Sequence, residues 1–300
     1  MKMVYGEVDG LRRRLGELVA MARLDDLADR GDLTSELLIP EDREAAYRLV
    51  ARQGGVLCGR LIAADILRAY DGAVGIDWSD GVDDGVRLDP GAELARIRGP
   101  ARSVLAAERV LLNFLQRLCG VATATRTFVD AVAGTAARIY DTRKTTPGWR
   151  HLERYAVCCG GGHNHRMGLY EAVLIKDNHL AGIPTDRLAG AVFELMNRAA
   201  ALQPPPAFVE IEVDTLQQLE QVFKVVGVEL ILLDNFTPAD MRTAVELRDS
   251  LGLAGQVELE ASGGVNLDTV RAIAETGVER IAIGALTHSA TALDLALESV

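Results

Sequence analysis

Apolar residues recur at helical spacing over residues 11–30, where Leu11, Leu15, Leu18, Val19 and Ala22 share a face, and this predicts a helix. The GDLTSELLIP segment that follows reads as a turn leading into a strand. LVARQGGVLCG and ELARIRGPARSVL are short apolar runs punctuated by glycine, as strands are. AERVLLNFLQRLCGVATATRTFVDAVAG keeps helical periodicity over most of its length and predicts one long helix or two. From about residue 138 the pattern changes to alternating strand and helix. ARIYDTRK, AVLIKDN, FVEIEV, LILLDN, VELEAS and RIAIG are β-rich runs, while TPADMRTAVELRDSLG and NLDTVRAIAETG are helical. Thr237 before Pro238, and Asn266, are suited to cap two of these helices.

The steps from Glu212 to Asp234, Asp234 to Glu260 and Ser262 to Gly284 are 22, 26 and 22 residues, the length of βα units in a parallel barrel. The segments are not alike in sequence, so they do not form a solenoid. Each apolar run ends in polar or small residues: Asp141-Thr142-Arg143-Lys144, Lys176-Asp177-Asn178, Glu212, Asp234-Asn235, Ser262-Gly263-Gly264 and Gly284. In an α/β barrel those C-terminal strand ends form the active-site face, so the pattern predicts a functional rim.

Composition narrows the reading. At 49% hydrophobic and 25% charged, the 300 residues have the balance of a soluble globular protein. Arg and Asp interrupt every apolar run before it reaches the length of a membrane span. Charges in the first thirty residues also break any signal-peptide core, so a cytoplasmic protein is expected. Cys58, Cys119, Cys158 and Cys159 show no metal-ligand spacing and suit free thiols in a reducing compartment. A net charge of −11 argues against nucleic acid as a partner. Between Asp141 and Leu180, however, six Lys or Arg face four Asp or Glu, together with four of the five histidines. A cationic segment in an acidic chain points to a small anionic ligand.

Three sets of residues carry candidate chemistry. Glu210 and Glu212 lie two apart and share one face of a strand, with Asp234 arriving one βα unit later. Neighbouring carboxylates of this kind can hold Mg²⁺ or hydrogen-bond ribose hydroxyls, although Glu210 can equally be a structural partner for a cation. EASGGV and AIGAL end strands in small residues before helices, where exposed N–H groups can cradle phosphate. Arg143, Lys144, Arg166 and Lys176, with His163 and His165, supply positive charge for a ligand with more than one anionic group. Arg150, His151 and Arg154 read as solvated helix positions.

In order along the chain, AERVLLNFLQRLCGVAT, YDTRKTTPGWR, ERYAVCCGGGHNHRMGLYEAVLIKDNH, VEIEVDTLQQLEQV, LILLDNF, LEASGGV and IAIGALTHS resemble the quinolinate phosphoribosyltransferases, from about residue 30 to 289. The resemblance implies an α/β fold: an N-terminal α/β sandwich domain over 1–113, with 289–300 packing back on it, and an incomplete parallel α/β barrel over 114–288. It implies a homodimer with shared active sites, open to further assembly, in which Arg109 reaches the partner's site. It implies that Arg143, Lys144, His165, Arg166 and Lys176 bind the two carboxylates of quinolinate. Glu212 and Asp234 would lie near ribose and Mg²⁺, holding the metal directly or through water. Ser262, Gly263, Gly264 and Gly284 would form the phosphate loops, and Lys144, Lys176, Glu212 and Asp234 would be catalytic. Cys119 stands where the family usually has Ser, a near-isosteric change. Cys158 stands where bacterial members often carry Arg, and this removes a charge.

The implied reaction uses phosphoribosyl pyrophosphate and quinolinate and gives nicotinate mononucleotide, CO₂ and pyrophosphate, with no protein nucleophile. Other readings are a Schiff-base aldolase using Lys144 or Lys176, the related barrel protein found with molybdate transporters, and a catalytically silent binding protein.

Overall fold

The computed structural model describes the backbone from Tyr5 and the side chains from residue 8 onward. The first four residues, part of the charged stretch read against a signal peptide, lie outside the described residues. The chain opens with α1 (Tyr5–Leu27), α2 (Leu33–Leu38), β1 (Glu44–Ala51), β2 (Gly55–Val56), α3 (Arg60–Arg68), β3 (Gly75–Trp78), β4 (Arg87–Leu88), β5 (Glu93–Pro100) and α4 (Ala101–Ala131). It continues through β6 (Arg138–Tyr140), α5 (Arg150–Cys159), β7 (Val173–Ile175), α6 (Asp177–Leu180), α7 (Leu188–Ala200), β8 (Val209–Val213) and α8 (Leu216–Val222). The last elements are β9 (Leu230–Asp234), α9 (Pro238–Ser250), β10 (Glu258–Ser262), α10 (Val270–Ala274), β11 (Arg280–Ala282), α11 (Ala285–His288) and β12 (Leu295–Ser299). Two compact units result: residues up to 127 with 145–162 and 286–300, and residues 128–144 with 163–285.

The first unit is an α/β sandwich built on an antiparallel sheet of order β12-β1-β5-β3. Its edge strand β12 comes from the end of the chain and pairs with β1 from Tyr47↔Ser299 to Ala51↔Leu295. Leu11, Leu15 and Val19 on α1 and Ile62, Ile66 and Leu67 on α3 are buried in its core. The long apolar segment after residue 100 is a single 31-residue helix, α4, and the 113/114 division lies inside it. Leu111, Leu115 and Leu118 are among its fully buried side chains.

Two local expectations are corrected here. GDLTSELLIP forms helix α2, not a strand, because Asp32 adopts an extended N-cap conformation. Its carboxylate accepts the N–H groups of Thr34 and Ser35, each at 3.1 Å, and Glu36 in the first turn favours the same helix. In ELARIRGPARSVL only the first eight residues are strand, and the helix begins at Ala101. The break follows Gly99, whose φ of +151° and approach to Val74 leave no room for a side chain.

The second unit holds six parallel strands in the order β6-β11-β10-β9-β8-β7. The end strands β6 and β7 do not pair with each other, so the barrel is incomplete. All six β-rich runs read from the sequence are its strands. Thr237 caps α9 with Pro238 at its first position, and its hydroxyl accepts the Asp240 N–H at 3.2 Å. Asn266 caps the turn before α10, accepting the N–H groups of Asp268 at 2.9 Å and Thr269 at 3.2 Å. Among the described residues no helix is long and apolar enough to cross a membrane.

The α2 cap makes a measurable contribution. Asp32→Ala should lower stability by about 1 kcal/mol in denaturant unfolding at pH 7. The Ser35 hydroxyl, followed by the backbone bonds, holds the Asp32 carboxyl below its usual range. The folded pKa is therefore depressed, so the wild-type advantage should be full above about pH 4 and fade as the carboxylate protonates below it. A variant with wild-type stability at pH 7 would show that the cap does not hold this helix.

Candidate active site

The parallel register delivers one set of strand ends to one rim. At period two, Glu210 and Glu212 lie on the same side of β8 and are buried, and Asp214 follows just past its end. Glu212, only 6% exposed, forms an ion pair with the Lys176 ammonium at the end of β7. Asp234 ends β9, level with Ser262 at the end of β10. Its Oδ2 accepts from Asn235 Nδ2 at 2.7 Å, and Asn235 itself is held at φ +55°. Gly263 and Gly264 follow at φ +96° and +61°, a conformation that exposes backbone N–H groups beside the Asn266 turn. A Cβ on Gly263 would stand 2.1 Å from Asn235 Oδ1, so the loop admits only glycine there. Gly284 lies just after β11 at the start of α11.

Cationic side chains surround this edge. Arg143 and Lys144 are exposed in the turn after β6, where the Lys144 N–H donates to Thr142 Oγ1 at 3.0 Å. Arg166 is 8% exposed, and its Nη1 donates to the Ala172 carbonyl at 2.9 Å. Burial, and then the neighbouring Arg143 charge, push the Arg166 pKa down. Two guanidinium groups that repel each other favour an anion between them.

His165 lies next to Arg166, beside two carboxylates of the barrel interior. Its ring points into the barrel, with Nε2 at 2.9 Å from Glu210 Oε2 and 3.4 Å from Glu260 Oε1. Nδ1 accepts the Arg166 N–H at 2.8 Å, so both ring nitrogens are engaged. Arg280 closes the group, with Nε 2.7 Å from Glu260 Oε2 and its guanidinium 3.9 Å over the Tyr140 ring. Burial opposes a charged imidazole, but the hydrogen bonds to Glu210 and Glu260 outweigh it and push the pKa up to about 9. The Glu210 carboxyl is also pushed up, first by burial and then by Glu260. The cluster therefore attracts a proton as a unit.

Among the described residues, one oxygen each from Glu212, Asp214 and Asp234 lie within 4.8 Å of one another. An all-oxygen set fits a hard divalent cation such as Mg²⁺, with Lys176 competing for Glu212. Cys58, Asp84 and Cys159 are also close, but Asp84 is occupied by the N–H groups of Gly59 and Arg60 and by the Tyr155 hydroxyl.

Asp214, Asp141, Glu260 and Arg280 were missed as site residues. Asp214 continues the alternation of Glu210 and Glu212, a signal that was available. Asp141 is fully buried and accepts the His165 N–H at 2.7 Å, which only the fold reveals. Arg109 lies on α4 with an exposed side chain. The solvated reading of α5 is corrected: Arg154 is 5% exposed, and its neighbour Glu153 is fully buried and bonded to Arg117 and Thr146.

The chain is similar to known proteins over most of its length. The family model described as quinolinate phosphoribosyl transferase, N-terminal domain, matches residues 32–119, and its C-terminal counterpart matches 121–298. A nicotinate-nucleotide pyrophosphorylase [carboxylating] from Mycobacterium leprae is 41% identical, over 97% of this chain and 96% of its own. A chloroplastic protein of the same name from Oryza sativa is 37% identical, over 95% of this chain and 77% of its own. The solved nicotinate-nucleotide pyrophosphorylase of Francisella tularensis superposes with a TM-score of 0.85 at 35% identity, covering 96% of this chain and 97% of that one.

The thiols give a direct test of the burial described here. All four cysteines are free, and only Cys158 is not buried. Burial, with the neighbouring Cys159, pushes the Cys58 thiol well up, and burial raises Cys119 to about 12. A disulfide reagent at pH 8 should therefore titrate one thiol per native chain rapidly and all four after denaturation. Several fast equivalents would show that these cysteines are open to solvent.

Proposed function

This chain belongs to the quinolinate phosphoribosyltransferase family and is an enzyme of that class, and we propose that its barrel rim joins quinolinate to phosphoribosyl pyrophosphate. The products are nicotinate mononucleotide, CO₂ and pyrophosphate, a step of NAD biosynthesis. The observation that carries this reading is the division of charge on one unit. Arg143 and Arg166 are close-set cations that want an anion, and Glu212, Asp214 and Asp234 are close-set oxygens that want a cation or hydroxyls.

In the proposed chemistry, Arg143, Arg166 and Lys144 hold the quinolinate carboxylates and so aim its ring nitrogen at C1 of the ribose. Lys176 orients Glu212, which with Asp234 would face the ribose and hold Mg²⁺. Held there, the metal would supply neutralising charge for departing pyrophosphate. The amides of Ser262, Gly263, Gly264 and Gly284 receive the phosphate. Once nitrogen bonds to C1 and pyrophosphate leaves, the electron pair of the breaking carbon–carboxylate bond stays on the ring carbon, as a carbanion stabilised by the adjacent pyridinium nitrogen. CO₂ is released and the ring carbon is protonated. Lys176 is 46% exposed and salt-bridged, not desolvated as a Schiff-base lysine is, so the aldolase reading gains no support. Four free cysteines accord with a cytoplasmic setting.

Incubation with quinolinate, phosphoribosyl pyrophosphate and Mg²⁺ should yield nicotinate mononucleotide and CO₂ in equal amounts. Turnover of neither substrate would refute the reading. Glu212→Gln and Asp234→Asn should each lower kcat by roughly 10²-fold, with quinolinate affinity retained, because charge stabilisation is strongest in the transition state. Lost quinolinate affinity with intact kcat would put both residues on the wrong ligand.

The reading extends to a homodimer in which Arg109 serves the partner's site. Arg109→Ala and Arg143→Ala should each be nearly inactive. Refolding an equal mixture gives about half mixed dimers, in each of which one site carries both lesions and the other carries neither. Activity should then return to about a quarter of wild type. Mixed dimers, verified by mass, that stay as inactive as the parents would place Arg109 in its own subunit's site or in none.

A further inference from the structure

Strand β6 ends one side of the six-stranded sheet, and the segment that follows α5 lies along its open edge. The His163 N–H donates to the Ile139 carbonyl at 2.8 Å, and the Asp141 N–H donates to the His163 carbonyl at 3.0 Å. The two chains run parallel through this Tyr140–His163 bridge, and the rings of the bridged pair stack with centroids 5.2 Å apart. In a parallel ladder the next bond would run from the His165 N–H to the Asp141 carbonyl. Here the Asp141 side chain takes that bond instead, with Oδ1 accepting the His165 N–H at 2.7 Å. Its carboxylate is fully buried, so the bond is shielded from water and strengthened by charge. A ladder can end without burying a carboxylate, and doing so is costly, which points to a use beyond the sheet.

Past this bond the two chains separate, and each carries a cation at once. Arg143 and Lys144 follow Asp141 by two and three positions, and Arg166 follows His165 directly. Each turn is also closed on itself. Thr142 Oγ1 accepts the Lys144 N–H at 3.0 Å, and Arg166 Nη1 donates to the Ala172 carbonyl at 2.9 Å.

We infer that Asp141 is a positioning residue whose buried carboxylate ties the two cation-bearing turns together, and so sets the span across which Arg143 and Arg166 take the two carboxylates of quinolinate. The inference rests on the quinolinate reading of the rim. Two carboxylates on one aromatic ring have a fixed separation, so drift between the turns forfeits one of the two charge-assisted contacts. The groups proposed to meet the ribose and pyrophosphate stand on other strands, at Glu212, Asp234 and Ser262, and do not depend on this bond. Loss of the bond should therefore weaken one substrate and spare the other.

Two measurements on the full chain test this. In steady-state kinetics, Asp141→Ala should raise the quinolinate KM by roughly tenfold or more, with kcat and the phosphoribosyl pyrophosphate KM within about threefold of wild type. An equal rise in both KM values, or an unchanged quinolinate KM, would overturn the inference. Asp141→Asn keeps an acceptor but loses its charge, so the quinolinate KM should rise by at least about threefold but less than in the alanine variant. It serves alone if the alanine variant does not fold, and a wild-type quinolinate KM would then count against the inference. In amide hydrogen exchange without substrate, either variant should speed exchange over residues 142–144 and 163–166 and leave β8, β9 and β10 at the wild-type rate. Unchanged exchange over 163–166 would show that the carboxylate does not hold the two turns together. A wild-type enzyme that does not turn over quinolinate would refute the proposed function, while hydrogen exchange would still decide whether Asp141 joins the turns.

Discussion

The Arg280–Glu260 ion pair, with His165 and Glu210 beside it, gathers four ionisable groups inside the barrel beneath the candidate site. A parallel sheet covered on both faces leaves ionisable groups two tolerable places, paired within the interior or at the strand ends. This chain uses both. Along β8 the same alternation points Glu210 into the pair network and Glu212 toward Lys176 at the rim. The register that sets Glu210 beside Leu174 and Leu230 also sets Glu212 beside Leu232. A one-residue slip would bury the wrong side chains throughout, so the interior charges specify the register of the rim above them.

The first unit solves a related problem with a single carboxylate. Glu153 is fully buried on α5, yet its oxygens accept from Arg117 Nη2 at 2.7 Å, Thr146 Oγ1 at 2.8 Å and the Thr146 N–H at 3.0 Å. Asp84 plays a comparable part at the start of α3, where it takes the N–H groups of Gly59 and Arg60 at 2.9 and 3.0 Å. Gly59 has no side chain with which to cap its own helix, so the cap arrives from a distant turn. In both places, buried at Glu153 and half-buried at Asp84, several donors converge on the carboxylate, in contrast to the sparsely satisfied oxygens of Glu210.

How much of this was legible in the sequence follows from the range of each interaction. The barrel strands were readable because β-rich runs and polar ends are local patterns, and Thr237-Pro238 is a local cap. Helix α2 was misread through its apolar residues, although Asp32 and Glu36 carried a helix-start signal within five positions. Arg154 was misread because a charged residue on a helix is usually solvated, and no local pattern announces its burial. The orientation of His165 was out of reach for the same reason. It depends on carboxylates 45 and 95 positions further along the chain, on two strands that are not neighbours. Motif resemblance located the residue, and only the fold shows which way its ring faces.

The charge distribution then connects interior to rim. The chain carries a net −11, so an anionic substrate meets an unfavourable average field and must find a local exception. Arg143 and Arg166 supply it, and burial, followed by the Arg143 charge, lowers the pKa of Arg166. An anion between the two would relieve their mutual repulsion. Arg166 is fixed in place by its burial, by its bond to the Ala172 carbonyl and by its amide bond to His165, while Arg143 is exposed on the turn after β6.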